Sequence, residues 1–265
     1  TSIALGTDHD IIVVDPEREY GSLIHALGGE VIAISANTSN HINALDISAE
    51  YGEGSNPLVL KSEFVMSLCQ QLQHGPIEPG DKSIIDRCLE HIYEDYLKTY
   101  EGNAPTLLDL YHDLLKQPEP EAHRLALALE LFAKGSLNVF AHQTNVDTGA
   151  RILCYDIRDL DEQLRPVGMV VTLDAIFNRV IRNWRQGKRT WILADEFYIL
   201  FRYSFSAEFF YRLFKRMRKY NAFITAISQN VDEILRSDTA RLMLANSELL
   251  VMLNQAATDR EELAK

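Results

Sequence analysis

Residues Thr190 to Phe197 read TWILADEF, an apolar run of strand length that ends abruptly in two adjacent carboxylates, Asp195 and Glu196. Arg185, Lys188 and Arg189 flank the run on its amino side. A continuous apolar segment of this kind fits a parallel strand covered on both faces. In open parallel α/β sheets ligands bind beyond the carboxyl ends of the strands, so both acids are expected where a ligand sits. One acid of such a pair can hold a hydrated divalent cation while its neighbour polarises a water molecule. Apolar strands followed by Asp-Glu also occur by chance, so the meaning of the pair rests on its surroundings.

The surroundings alternate strand and helix. Arg151 to Ile157 (RILCYDI) reads as a strand and Val167 to Trp184 as a long apolar helix. After TWILADEF, Ser206 is placed to cap a helix with Phe209, Leu213, Phe214 and Met217 on one face and Arg212, Lys215, Arg216, Arg218 and Lys219 around the rest. Ala222 to Ile227 (AFITAI) is a strand ending at Ser228-Gln229, and a helix follows over about 232–245. Glu248 to Leu253 (ELLVML) is expected as the last strand, before Thr258-Asp259 opens a terminal helix. This rhythm implies an α/β fold with a mainly parallel sheet and right-handed crossovers.

Residues 1–56 carry the same texture. Asp10 to Val14 (DIIVV) is a β-branched strand broken sharply by Asp15-Pro16-Glu17-Arg18-Glu19-Tyr20, because proline cannot continue a central strand but suits a helix start. Glu19 to Leu27 reads as a short helix stopped by Gly28-Gly29, and Glu30 to Ser35 as a second strand. The loop from His41 to Asp46 reads as structural. Residues 57–150 differ: four helical stripes, Leu58 to Leu72, Ser83 to Tyr100, Thr106 to Leu115 and Glu121 to Lys134, are separated by Gly and Pro loops. The expected organisation is a first core segment (1–56), an inserted all-α subdomain (57–150) and a second core segment (151–265).

Composition sets limits. A chain of 265 residues with 46% hydrophobic and 24% charged content is ordinary for a globular protein with a sizeable core. A formal net charge of −12 argues against generic polyphosphate binding as the main activity. Cys69, Cys88 and Cys154 lie far apart, and the histidines share no metal-ligand spacing, so neither a disulfide framework nor a zinc site is indicated. A reducing compartment fits, and no run of about 18 apolar residues spans a membrane.

Phosphoryl transfer needs a metal holder, a water orienter, a sensor of the terminal phosphate and positive charge on its oxygens. Asp195 suits the first role and Glu196 the second. Gln229, 33 residues after Glu196 and at the end of the next strand, is either a phosphate sensor or a helix-capping or loop residue. Arg216 and Arg218 are either arginine fingers reaching a neighbouring subunit or part of a solvated basic face. Asp15 and Glu17 either contact the cofactor or stabilise a helix start electrostatically.

The ordered set DPEREY, LGGEVIAIS, HINALDI, LADEF, FKRMRKY, AISQN and LANSELLVMLNQ resembles the ATPase domain of conjugative type IV secretion motors of the VirB-four/TraC kind, within the HerA/FtsK group of RecA-like motors. The resemblance covers nearly the whole chain outside the helical insertion. It implies a RecA-like core and ATP hydrolysis with Mg²⁺. It further implies a cytoplasmic engine docked peripherally on the membrane secretion channel, other secretion components as partners, and a homo-oligomer, hexamer or dimer, with possible DNA contact. On this resemblance Asp195 and Glu196 match the Walker B pair, Gln229 the motif after the next strand, Arg216 and Arg218 the arginine-bearing motif, and 246–255 the last strand motif. Two departures stand out. Asn221 occupies a position where the family commonly has Gly, and no GxxxxGK[ST] phosphate loop occurs in the sequence. Either the start at Thr1 marks a trimmed domain that begins near the end of the phosphate-loop helix, which is the expectation, or the protein has lost nucleotide binding. A DNA-translocating motor of the HerA/FtsK or coupling-protein type and a non-catalytic assembly scaffold are the alternative readings.

Overall fold

A computed structural model describes residues 1–51, 56–73, 75–202, 204–229 and 234–253. Its core is a five-stranded, all-parallel sheet of β1 (Asp10–Asp15), β2 (Glu30–Ala33), β3 (Ile152–Asp156), β4 (Thr190–Ala194) and β5 (Ala222–Ala226), in the spatial order β2-β3-β1-β4-β5. The expected parallel α/β architecture is therefore met. Helices α1 (Ser2–Gly6), α2 (Gly21–Ala26), α8 (Leu164–Arg185) and α9 (Ser204–Lys219) flank the strands in sequence. Between β2 and β3 lie α3 (Pro57–Leu72), α4 (Pro79–Tyr93), α5 (Tyr96–Thr99), α6 (Leu107–Lys116) and α7 (Pro120–Ala133), and α10 (Asp238–Ala245) follows β5.

The strands form because β-branched and apolar residues are buried on both faces of β1 and β3. On one face Ile12, Val14, Leu153, Tyr155, Ile192 and Ala194 join a core continuous with α8, α9 and the helices of 57–133. On the other, Val13, Ile152 and Cys154 pack with Ala4 of α1 and Ile24 of α2. Gly28 closes α2 with φ +71°, and Gly29 lies so near β3 that a Cβ would sit 2.7 Å from the Ile152 carbonyl oxygen, which explains the paired glycines.

At the amino rim of the sheet a buried Asp10 ties the long helix down. Its Oδ2 accepts from Arg179 Nε (2.8 Å), Arg179 Nη2 (2.5 Å) and Asn183 Nδ2 (2.7 Å), and its Oδ1 pairs with Lys188 Nζ at 2.5 Å. Such a charge is tolerated in the interior because one oxygen is hydrogen-bonded three times and the other is ion-paired with Lys188.

The helices between β2 and β3 start by known local devices: Pro at the first turn of α3, α4 and α7, and reciprocal capping boxes at α4 (Glu78 with Asp81) and α6 (Thr106 with Asp109). The helix expected over 83–100 is two pieces, α4 and α5. The break falls where Tyr93 and Tyr96 both donate to the loop after β2, to the Leu45 carbonyl and, at 3.2 Å, to the Ile47 carbonyl. That loop is structural, as its composition suggests: Asn43 donates to the Pro105 carbonyl at 2.8 Å and accepts from the Leu45 amide at 2.9 Å. Beneath it, fully buried Lys61 places Nζ 2.5 Å from Asp174 Oδ2, and the Tyr51 hydroxyl donates to Asp174 Oδ1 at 2.6 Å. Lys61 thereby joins α3 to α8.

Two further expectations are corrected. α9 begins at Ser204, so Ser206 falls inside the helix and not ahead of it. The run 248–253 forms no strand; Leu249 and Leu253 are each 80% exposed and the described sheet ends at β5. Strand propensity without a paired neighbour does not make a strand. The terminal helix expected at Thr258-Asp259 lies outside the described residues. Asn221, in contrast, is explained: it sits between α9 and β5 with φ +54°, a left-handed turn that glycine or asparagine adopts readily.

Removing one partner of a buried pair leaves the other charge uncompensated. Lys61→Met is expected to lower the unfolding free energy by about 3–5 kcal/mol in urea titrations. Lys98→Met, which deletes an exposed pair with Asp95, is expected to leave the midpoint unchanged.

Candidate functional site

The carboxyl rim of the sheet gathers acids from three neighbouring strands. The register pairs Asp15 of β1 with Asp156 of β3 and Val14 with Ala194, so Asp195 lies beside Asp15 at the end of β4. The ladder is carried past the strand ends: the Asp195 amide donates to the Val14 carbonyl at 3.1 Å, and the Ile227 amide to the Ala194 carbonyl at 2.9 Å. The Phe197 amide then donates to the Ile227 carbonyl at 3.2 Å, so the turn after β4 and the end of β5 are stitched together.

Glu196 sits within that stitch at φ +45°, a left-handed conformation that is costly for a residue with a side chain and recurs at functional turns. Both acids are buried, Asp195 to 4% and Glu196 to 7% exposure. Asp195 Oδ1 accepts from the Glu196 amide at 3.0 Å, and the Gln229 backbone amide donates to the Glu196 carboxylate. Glu196 Oε2 is buried without a hydrogen-bond partner among the described residues. Burial raises the pKa of both carboxyls, and for Glu196 the charge of Asp195 adds to the rise. The orphaned oxygen is an acceptor in place for a water or ligand proton.

Asp15 is occupied differently. Its Oδ1 accepts from the Glu19 amide at 3.0 Å and its Oδ2 from the Tyr20 amide at 2.9 Å, which fixes the DPEREY turn. Burial, together with the nearby charge of Asp195, pushes the Tyr20 phenol up to about 12. Arg18, at φ +61°, spans Asp156 and Asp159 with its guanidinium, each at 2.5 Å. Glu17 is half exposed and 3.9 Å from Arg165. Glu17 thus sits on the outer edge of the rim.

The geometry brings Asp195, Glu196 and the Gln229 backbone together with Asp15, and it separates Arg216 and Arg218 from them. α9 ends at Lys219 and β5 begins at Ala222 opposite Thr190, so both arginines lie toward the amino rim. With about 3.3 Å per strand residue the two rims are roughly 15 Å apart. Arg216 faces α3, 3.6 Å from Glu63, and Arg218 pairs with Glu248 at 3.0 Å on the surface. Tyr20 and Asp156 were not singled out by the sequence reading. The signal for Asp156 was present, since RILCYDI is a second apolar strand closed by an acid; for Tyr20 only the Asp-Pro break four residues earlier pointed to a clamped turn.

A magnesium ion and a nucleotide are the groups such a rim would hold. Among the described residues no three His, Cys, Asp or Glu side chains could hold a metal together. A cation beside Asp195 would therefore keep most of its water shell, which is how Mg²⁺ commonly binds. The lone carboxylate and the unpartnered Glu196 oxygen fit that description.

Ionising Glu196 costs the folded chain stability, because its folded pKa is raised above the unfolded value. The cost is present above the raised pKa and vanishes below about pH 4. Glu196→Gln is expected to stabilise the fold by about 1 kcal/mol at pH 8 and to be neutral near pH 4, as read by thermal unfolding at the two pH values.

No protein-family model matches the chain, and no curated protein matches it. Among solved structures, VirB4 of Thermoanaerobacter pseudethanolicus superposes with a TM-score of 0.79 at 23% identity, over 97% of this chain and 72% of that one. The bacterial conjugative coupling protein TrwBΔN70 aligns with a TM-score of 0.49 at 14% identity, over 96% of this chain and 72% of that one. The chain has the RecA-like fold of VirB4, an all-parallel sheet with surrounding helices.

Proposed function

We propose that the chain is the ATP-hydrolysing motor domain of a type IV secretion or conjugative DNA-transfer apparatus. The observation that carries the reading is the meeting of Asp195, Glu196 and the end of β5 at one carboxyl rim, with a buried Glu196 oxygen left without a partner. In this reading Asp195 holds Mg²⁺ through its water shell, and Glu196 accepts a proton from the attacking water. The Gln229 side chain, whose own backbone amide braces Glu196, senses the terminal phosphate. The VirB4-like fold supports the choice among phosphoryl-transfer sites.

Arg216 and Arg218 lie at the opposite rim of their own sheet, so in this reading they act only on the nucleotide of a neighbouring subunit in a homo-oligomer. The organisation proposed is a motor core of 1–56 and 151–265 with the helical subdomain of 57–150 inserted. Partners would be other secretion components at the inner membrane, with the chain on the cytoplasmic side; no described helix is long and apolar enough to cross a membrane.

The sequence holds no GxxxxGK[ST] loop to cradle phosphates, so the 265-residue chain alone is expected to hydrolyse ATP poorly. Joined to a segment bearing that loop, it is expected to turn over ATP, and Glu196→Gln should then reduce kcat by about 100-fold or more while nucleotide binding persists. Equal turnover by wild type and Glu196→Gln would contradict the proposed function.

A further inference from the structure

A cavity of about 60 Å³ lies against α8, between that helix, the loop after β2 and the loop ahead of β3. At roughly 15 Å³ per water it has room for about four waters or one small ligand. Most charged groups on its wall already have partners. Arg179 is spent on Asp10 and on the Thr148 and Gly149 carbonyls, and Asp174 on Lys61 and Tyr51. The Asp46 carboxylate accepts from the Thr144 hydroxyl. Arg182 differs. It lies one turn along α8 from Asn178 on the cavity face, half-buried, and among the described residues its guanidinium makes no hydrogen bond or ion pair. A guanidinium stays protonated at any working pH. Burial and the like charge of Arg179 lower its pKa, as expected of a cation short of a counter-charge. Two further donors are unspent. Asn178 accepts from the Ser48 hydroxyl at 2.7 Å through its oxygen, and among the described residues neither its amide nitrogen nor the Thr148 hydroxyl has a hydrogen-bond partner.

We propose that this cavity binds a short-chain monocarboxylate, its carboxylate on the Arg182 guanidinium with the Asn178 amide and the Thr148 hydroxyl as further donors. The planar fork of an arginine matches a carboxylate. Ile42, Val171 and Ala175 line the same cavity and supply an apolar wall for the alkyl part. Asp46 and Asp174 also face it, so a second negative charge is repelled, and sulfate, phosphate or a dicarboxylate is disfavoured. The site uses none of the carboxyl-rim residues and does not depend on the ATPase reading.

The test is titration of the full-length protein with sodium propionate, followed by saturation-transfer NMR on the ligand at constant ionic strength in chloride. A dissociation constant of about 1 mM is expected, within reach of so small a ligand. Arg182→Met removes the charge-assisted contact, and Ala175→Leu fills the apolar wall while keeping the cation; each is expected to weaken binding by about 10-fold or more. The thermal midpoint of each variant shows that it folds. Phosphate is expected to displace propionate only at about 10-fold higher concentration or above. Absence of saturable binding up to about 50 mM, or an unchanged dissociation constant in either variant, would overturn the site. Displacement by equimolar phosphate would overturn the assignment to a monocarboxylate.

Discussion

The parallel register of β1, β4 and β5 is the constraint on which the rest of the structure depends. Three backbone hydrogen bonds beyond the regular ladder, from Asp195 to Val14, Ile227 to Ala194 and Phe197 to Ile227, make the three strands end together. Because side chains alternate along a strand, a slip of one residue would send Asp195 to the opposite face, away from Asp15 and Tyr20. The apolar alternation of β1 prevents it, since Ile12 and Val14 belong to the large core and Val13 to the smaller one.

The two rims of the sheet treat charge in opposite ways. At the amino rim Asp10 is surrounded by Arg179, Asn183 and Lys188, and the result is a rigid anchor for α8. At the carboxyl rim Asp195 and Glu196 are buried with few partners, their pKa values are raised by burial, and one oxygen has none. A saturated rim stabilises; an undersatisfied rim costs stability and is kept where chemistry uses it. The Lys61–Asp174–Tyr51 cluster belongs to the first kind and ties α3 to α8.

Much of this was legible in the residues. TWILADEF, RILCYDI and AFITAI are apolar runs of strand length bounded by charges and turns, and each became a strand of the sheet. ELLVML has the same composition and did not, because a strand is a property of a pair of edges and the run meets no neighbour among the described residues. The position of the rim acids followed from strand order, whereas the location of Arg216 and Arg218 required the direction of α9, which carries them back to the start of β5. Tyr20 was hidden for a different reason. Its place near Asp195, 175 residues away in sequence, depends on a turn geometry made by Asp15, which no local pattern encodes.

The claim that Asp195, Glu196 and Gln229 surround one hydrated cation is most directly tested by paramagnetic relaxation with Mn²⁺ and ADP bound to the full-length protein. The account predicts strong broadening of the Glu196 and Gln229 backbone amide resonances and little effect on those of Arg216 and Arg218 within the same subunit. Broadening centred on Arg216 and Arg218, with Glu196 and Gln229 unaffected, would contradict it.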